Sequence, residues 1–333
     1  MNANLQVCIR QFPHDVVNVE HFELREVPIP SLAEGEVLVR HQFLSLDPYM
    51  RMRLADAQVG RFAMKLGDVM MGRTVGTVTA SRDPAFTPGD VVLGWGGWQS
   101  CSVARAETLQ KVEPLGDGSL SAYLGVLGRP GITAWLGVVS VAQLRSGESF
   151  LVSSAAGAVG SLAAQMARHI GARVVGIAGG AAKCESVVEQ LGVHACVDYK
   201  APDFKERLAD ATPGGVDVLF ENVGAAVFDE SLNRMNQHGR VAVCGLIAQY
   251  HSGEPYAFKN FPRILDRDLK VTGFRIDSNK DLHEQASKDL RAWFDAGVFK
   301  SWERVSHGLE NAPEAFIAML QGRGQGKTLV RLH

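Results

Sequence analysis

One stretch of the chain, residues 149–178, restricts the possible folds more than any other. An apolar strand leads through the small-residue turn 153–160 (SSAAGAVG) into a helix, and a second apolar strand (RVVGIA) follows. Apolar residues recur at spacings of three and four from Val159 to Ile170, so one face of that helix is apolar. A strand–turn–helix–strand unit of this kind lays the pyrophosphate of a dinucleotide on the N-terminus of its helix.

The turn departs from the strict G-x-G-x-x-G pattern. Ala155 stands in the first glycine position, while Gly157 and Gly160 fill the other two. A small first residue still allows a tight turn, Gly157 lets backbone N–H groups approach phosphate, and Gly160 lets the helix pack close to the sheet. We therefore predict that cofactor contacts come from Ala155, Gly157, Ala158, Val159 and Gly160. The alternative is a small-residue turn in an α/β protein that binds no dinucleotide.

The end of the second strand indicates which dinucleotide is bound. NAD sites usually carry Asp or Glu there, bonded to the ribose 2′-OH. Residues 177–183 read IAGGAAK, with no carboxylate and with Lys183 close by. Without a carboxylate to repel it and with a lysine nearby, a 2′-phosphate is well accommodated here, so the sequence favours NADPH/NADP+. Lys183 alone is equally compatible with a solvated helix lysine, but its position after Gly179 and Gly180 favours the cofactor role.

Length and composition suggest a two-domain protein that acts on small molecules. At 333 residues the chain is long for one core. Its formal net charge of −2 gives no electrostatic reason to bind nucleic acid or an anionic membrane, and no apolar run reaches transmembrane length. The five cysteines are scattered and odd in number, and the first residues lack a signal-peptide pattern. We therefore expect reduced thiols in a cytoplasmic protein.

Alternating strands and helices from 149 to about 273 predict the α/β class with a doubly wound parallel Rossmann sheet. We expect later strands at 194–199, 217–222, 240–245 and 269–274, a helix at 133–141 after a turn at 128–131, and a closing helix (312–320) and strand (327–332). The first third is β-rich. We predict that a Rossmann domain, 128–298, is inserted into a β-rich domain formed by 1–127 and 299–333, with the substrate between them.

Several motifs, in this order, resemble those of the zinc-independent medium-chain dehydrogenase/reductases. The closer resemblance is to the NADPH-dependent alkenal/one double-bond reductases of the prostaglandin, curcumin and leukotriene type, and it covers essentially the whole chain. Its segments are 45–51 (SLDPYMR), 67–72 (GDVMMG), 125–134 (GVLGRPGITA), 155–160, 220–224 (FENVG), 244–250 (CGLIAQY), 273–274 and 326–327. The resemblance implies a GroES-like N-terminal domain and a homodimer that pairs through the edge strand near 269–274.

The resemblance also implies roles for individual residues. Lys183 and Tyr199, after Gly179, match positions that contact the 2′-phosphate, and Asn222 matches one that binds near the ribose and phosphates. Gly245 and Leu246 match a loop that lines the nicotinamide, Phe274 matches a residue beside its ring, and Gly324 lies in the C-terminal motif of the cofactor site. Tyr49 and Tyr250 match two tyrosines of the substrate pocket.

Three departures from the family pattern bear on these roles. Glu221 stands where the family usually has Asp, and Gly324 stands where it has an asparagine that helps to hold the nicotinamide. The family usually offers an aromatic residue and prolines in the pocket segment before Gly67, where this chain reads GRFAMK at 60–65. We therefore expect a substrate preference that differs from that of better-known relatives.

The sequence predicts chemistry without a metal. The catalytic zinc cysteine of a zinc dehydrogenase would fall near 45–47, where there is none, and no cysteine cluster offers a structural zinc site. The predicted reaction is hydride transfer to the β-carbon of an α,β-unsaturated carbonyl, with Tyr250 donating a hydrogen bond to the developing enolate and Tyr49 as second pocket tyrosine. Either tyrosine is also compatible with a merely packed or surface aromatic. Two other functions stay open: a quinone reductase of the same fold and a non-catalytic NADPH-binding protein.

Overall fold

A computed structural model describes residues 3–54, 64–115, 119–250 and 256–332, with only the backbone of Tyr250. The chain divides into two compact units: Met1–Leu124 together with Glu303–His333, and Gly125–Trp302. Among the described residues, none of the helices combines the length and the apolar character that a membrane span requires.

The regular elements alternate in type along the middle of the chain. The strands are β1 (Ala3–Ile9), β2 (Phe22–Pro28), β3 (Glu36–Ser45), β4 (Thr74–Ser81), β5 (Val91–Gly94), β6 (Cys101–Arg105), β7 (Gln110–Lys111), β8 (Ser149–Ser153), β9 (Arg173–Ala178), β10 (Ala195–Asp198), β11 (Val216–Glu221), β12 (Met235–Val243), β13 (Lys270–Gly273), β14 (Glu303–His307) and β15 (Lys327–Arg331). The α-helices are α1 (Arg129–Trp135), α2 (Ala158–Ile170), α3 (Ala181–Leu191), α4 (Phe204–Ala211), α5 (Ala225–Arg234), α6 (Arg263–Asp266), α7 (His283–Asp295) and α8 (Ala312–Leu320).

The β-rich unit is built from both ends of the chain. Its main sheet has the order β14-β15-β3-β4-β5-β7, with β6 paired to β3, and β1 and β2 form a separate antiparallel pair. Its core centres on the fully buried Trp98, whose ring stacks on Phe22 at 5.3 Å and meets the edge of Phe316 at 5.5 Å. Because Phe316 lies on α8, the closing segment is part of this core rather than an appendage to it.

The second unit is a doubly wound α/β fold, as the alternation predicted. Its parallel strands follow the order β10-β9-β8-β11-β12-β13. The three central strands β8, β9 and β11 are mostly apolar without alternation, since helices cover both faces of such a sheet; Leu151, Val174 and Leu219, for example, are completely buried. This is the strand order of a dinucleotide-binding Rossmann sheet, and the prediction of the fold class is confirmed.

One expected element differs in detail. The segment 128–131 is not a turn before a helix, because α1 already begins at Arg129 with Pro130 in its first turn. Proline is well tolerated there, since its missing N–H would have no acceptor within the helix. Leu136–Val141 continues as a π-helix. In that π-helix, a Cβ on Gly137 would lie 2.3 Å from the Phe220 ring and 2.8 Å from the Phe274 ring.

Candidate functional site

The strand order reverses between β8 and β11, which is where an open α/β sheet forms a crevice at the carboxyl ends of its strands. Two side-chain contacts join the turns that follow these strands. The Asn222 backbone N–H donates to Ser153 Oγ at 2.8 Å, and Asn222 Nδ2 donates to the Ser153 carbonyl oxygen at 2.8 Å. The predicted cofactor residue Asn222 is therefore held next to the start of the predicted pyrophosphate turn.

The pyrophosphate turn has the shape that its small residues predicted. Ala155 is completely buried, and its N–H donates to the Ile177 carbonyl at 2.9 Å. Gly157 is the N-cap of α2 and contributes no side-chain hydrogen bond to the helix start. A Cβ on Gly160 would lie 2.2 Å from the Ser154 carbonyl oxygen, so only glycine lets the helix approach the turn this closely. Ala158 and Val159, in the first helical turn, have backbone N–H groups at the end where anions bind.

A buried carboxyl group organises the turn after β11. Glu221 is fully buried, and its Oε1 accepts hydrogen bonds from the N–H groups of Val223 and Gly224 at 2.5 and 2.6 Å. Burial raises the pKa of this carboxyl to about 7, although these hydrogen bonds oppose the rise. The Glu221 carbonyl also accepts from the N–H of Gly245 at 3.2 Å. Glu221 thus holds the backbone that follows Asn222 and connects it to the loop after β12.

Further along the sheet, the predicted nicotinamide-side residues come together at the ends of β12 and β13. The Leu246 side chain lies over Gly224, where a Cβ would be 3.1 Å from Leu246 Cδ2. The Phe274 N–H donates to the Val243 carbonyl at 3.2 Å, and the Phe274 ring meets the Phe220 ring edge-on at 6.2 Å. Gly245, Leu246 and Phe274 therefore adjoin the Asn222 turn on one side of the crevice.

On the opposite side of the crevice, the turns after β9 and β10 bring Gly179, Lys183 and Tyr199 together. The Tyr199 ring lies over Gly179, where a Cβ would be 2.8 Å from Cε1 and 3.0 Å from the phenol oxygen. Lys183 lies in the first turn of α3. Burial, and then the positive charge of Lys200, lower the pKa of Lys183 below its ordinary value. We call this group of Gly179, Lys183 and Tyr199 the cationic corner.

Two predicted site residues belong to the other unit. Tyr49 lies in the short 3₁₀-helix Pro48–Arg53 and packs against the core of the β-rich unit. The preceding Asp47 is anchored by Lys327 Nζ at 2.8 Å, and Lys327 is only 4% exposed. Gly324 lies before β15, and a Cβ there would be 3.6 Å from Thr328 Oγ1, which is an ordinary contact. A larger residue therefore has room at position 324.

Some predictions lie outside the described residues. The side chain of Tyr250 is among them; its backbone ends the 3₁₀-helix Ile247–Tyr250. Most of the loop 56–66 and part of the loop 249–262, on which substrate choice depends, are also outside the described ranges.

Sequence reasoning missed three contributions. Lys200 follows Tyr199 directly, and this adjacency was its only signal. Glu221 was noticed as a departure from the family pattern, but no pattern indicated that it holds two backbone N–H groups. Lys327 was noticed only as part of a motif, and its partner Asp47 is remote in sequence.

Comparison with known proteins identifies the chain. A model described as the N-terminal domain of oxidoreductase matches residues 6–112, and one described as zinc-binding dehydrogenase matches 158–291. The chain is 39% identical to the NADPH-dependent curcumin reductase of Escherichia coli (strain K12) over 96% of its own length and 94% of that protein. The chain is a zinc-independent medium-chain dehydrogenase/reductase of the enone and alkenal reductase family. It is thus an oxidoreductase.

Two more members of this reductase family extend the comparison. The chain is 36% identical to prostaglandin reductase 1 of Bos taurus, over 93% of both chains. The crystal structure of CurA from Vibrio vulnificus in complex with NADPH is 36% identical, covers 99% of both chains and superposes with a TM-score of 0.90.

Although one family model is described as zinc-binding, the part of the reductase that the structure describes brings no three His, Cys, Asp or Glu side chains together in a group that could hold a metal. The residues do fit a phosphorylated dinucleotide. The helix α2 starts without a side-chain cap, beside glycines that leave room for phosphate. Lys183 after β9 and Tyr199 after β10 lie at the place where an NAD site has a carboxylate.

Proposed function

We propose that this reductase uses NADPH to reduce the C=C bond of α,β-unsaturated aldehydes and ketones. The observation that carries the proposal is the near full-length similarity to a curcumin reductase and to prostaglandin reductases. Curcumin is itself an α,β-unsaturated ketone. The cationic corner beside Gly179 supports the choice of cofactor, because Lys183 and Tyr199 supply the charge and hydrogen bond that a 2′-phosphate requires.

We infer that the cofactor is held along the carboxyl edge of the Rossmann sheet. The turn and helix start are assigned to the pyrophosphate, the cationic corner to the 2′-phosphate, and the ends of β11 to β13 to the ribose and nicotinamide. The residues assigned to the pyrophosphate are Ala155, Gly157, Ala158, Val159 and Gly160. Those assigned to the 2′-phosphate are Gly179, Lys183 and Tyr199. Those assigned to the ribose and nicotinamide are Asn222, Gly245, Leu246 and Phe274. Gly324 is assigned a backbone role near the nicotinamide, since it offers no side chain.

The chemistry needs one hydrogen-bond donor. When bound, NADPH supplies a hydride to the β-carbon of the substrate. Negative charge then develops on the carbonyl oxygen as an enolate, and Tyr250 donates its phenolic hydrogen bond to that oxygen. A proton, for which Tyr250 is the proposed source, then adds to the enolate to give the saturated carbonyl, and water returns a proton to the phenolate. A phenol suits this role because it stabilises the oxygen without bringing a charge of its own. Tyr49, held next to the anchored Asp47, is assigned to substrate orientation.

The decisive experiment follows NADPH oxidation at 340 nm with a 2-alkenal, an aryl enone, a quinone and a simple ketone. We expect turnover of the alkenal and enone, faster with NADPH than with NADH. Tyr250→Phe should lower kcat by roughly 100-fold, because one oxyanion donor is lost, while the Kd for NADPH stays near normal. Unchanged turnover of every enone by Tyr250→Phe would remove Tyr250 from the mechanism, and turnover of the quinone alone would replace the proposed activity with quinone reduction.

The same proposal extends to organisation. We propose that 1–127 and 299–333 form the substrate domain and 128–298 the cofactor domain, that β13 pairs with its copy in a homodimer, and that the reductase works in the cytoplasm. The five free cysteines are compatible with a reducing compartment. Light scattering that returned the mass of a monomer would refute the dimer.

A further inference from the structure

The cationic corner of the Rossmann unit contains a second lysine. Because β9 and β10 are parallel neighbours with Ala178 opposite Asp198, the residues that follow them emerge side by side. Lys183 follows the first strand and Lys200 the second. The charge of Lys200 contributes to lowering the pKa of Lys183, so the two ammonium groups lie within electrostatic reach of each other.

The backbone at this corner is clamped by one carboxylate. Asp198 Oδ1 accepts from the Gly180 N–H at 2.7 Å and from the Lys200 N–H at 2.9 Å. Both loops are therefore fixed to each other through the same oxygen atom. This clamp holds Lys200 beside the Gly179–Gly180 turn, even though its side chain is exposed.

The charge of Lys200 is not balanced by the carboxylate of Asp198 next to it. Asp198 serves backbone N–H groups, and within the described ranges no carboxylate forms an ion pair with Lys200. Two like charges held close together repel each other. An anion bound between them is attracted by both, and this attraction offsets the repulsion. A phosphate monoester carries about −1.5 to −2 charge at pH 7, which is more than one lysine neutralises.

We propose that Lys200 is a specificity-determining residue that binds the 2′-phosphate of NADPH together with Lys183 and Tyr199. The inference rests on the proposed use of NADPH and adds a residue to the cofactor set. Lys183 supplies a half-buried cation from α3, and Lys200 supplies an exposed cation from the end of β10. The hydroxyl of Tyr199 lies over the turn at Gly179. NADH, which lacks the 2′-phosphate, gains nothing from Lys200.

The test measures binding directly as well as turnover. Adenosine 2′,5′-bisphosphate and 5′-AMP serve as probes by isothermal calorimetry, and KM is determined for NADPH and NADH at a fixed enone concentration. We expect Lys200→Ala to weaken bisphosphate binding and raise the NADPH KM by about 5- to 10-fold, a range set by one exposed charge-assisted contact. 5′-AMP binding and the NADH KM should stay unchanged. Lys200→Arg should restore most of the loss, because it keeps the charge.

The matched control is Lys205→Ala, which removes the same charge from α4, where Lys205 pairs with Glu230 at 3.4 Å. It should leave the affinities for the bisphosphate and 5′-AMP, and the KM values for NADPH and NADH, unchanged. The inference is overturned if Lys200→Ala binds the bisphosphate within twofold of the unaltered protein, or if Lys205→Ala weakens it equally. Should the unaltered protein turn over no electrophile, the proposed function fails, yet the bisphosphate titration still decides the role of Lys200.

Discussion

The turn after β11 and the corner after β9 and β10 lie at the same edge of one sheet but are built in opposite ways. In the first, the protein satisfies its own polar groups: the buried carboxyl of Glu221 accepts from Val223 and Gly224. In the second, Lys200 lies close enough for its charge to lower the pKa of Lys183, and within the described ranges no carboxylate forms an ion pair with Lys200. A substitution in the first region should therefore affect folding, whereas one in the second should affect ligand binding.

The largest expected effect is on stability at Glu221. Glu221→Ala leaves the N–H groups of the partly buried Val223 and the buried Gly224 without their acceptor and opens a cavity, so we expect a loss of about 3 kcal/mol in the free energy of unfolding. The midpoint of urea unfolding measures it. Glu221→Gln keeps an acceptor oxygen and should lose about 1 kcal/mol or less. Lys183→Ala should change stability by less than about 0.5 kcal/mol, and an equal loss from it would break the comparison.

The next effect is a pH dependence of stability. The pKa of Glu221 is about 7 in the folded protein against 4.5 ordinarily, so between these values the folded state keeps a proton that the unfolded chain has released. The stability that this proton contributes is therefore fully present below pH 4.5 and is lost as the pH rises to 7. Because each unit of difference in pKa corresponds to about 1.4 kcal/mol, the free energy of unfolding should fall by up to about 3 kcal/mol over this range.

The measurement compares urea unfolding of the unaltered protein and Glu221→Gln from pH 5 to pH 8. The unaltered protein should lose its advantage as the pH rises. Cys244 is the titratable neighbour of Glu221, and burial raises the pKa of its thiol to about 12, outside this window. A stability difference that is constant over the whole range would mean that Glu221 does not titrate there.

The smallest expected effect is at Tyr199. Tyr199→Phe keeps the ring over Gly179 but removes the hydroxyl group. Because this residue is partly exposed, its hydrogen bond to the 2′-phosphate should contribute about 1 kcal/mol to the binding free energy of NADPH. The KM for NADPH should rise about 5-fold while the KM for NADH stays constant. If both KM values rise together, the hydroxyl contacts a part of the cofactor that NADPH and NADH share, and not the 2′-phosphate.

The sequence predicted best what depends on local periodicity. The apolar runs became β8 and β9, and the small residues around Gly157 and Gly160 became a turn where larger side chains would collide with Ser154. The order of strands and helices was enough to predict the doubly wound sheet. The start of α1 was predicted wrongly, because Pro130–Gly131 is a typical turn signal while proline is also favoured in the first turn of a helix.

The remaining features depend on contacts between residues that are distant in sequence. No spacing indicates that Ser153 would bridge to Asn222 or that Lys327 would reach Asp47. Lys200 is one of many lysines, and only the register of β9 and β10 brings it beside Lys183. Burial of Glu221 likewise depends on its neighbours in the sheet rather than on its own residue type.

The strand β15 has a consequence for the order in which the chain folds as it is made. β3 pairs with β15 on one side, and Phe316 and Val330 complete the core around Trp98. The residues before Gly125 are synthesised before the Rossmann unit, yet their sheet and core stay incomplete until residues 303–333 leave the ribosome. The Rossmann unit, which is continuous in sequence, is complete earlier, so the middle part of the chain can reach its final structure before the part that is made first.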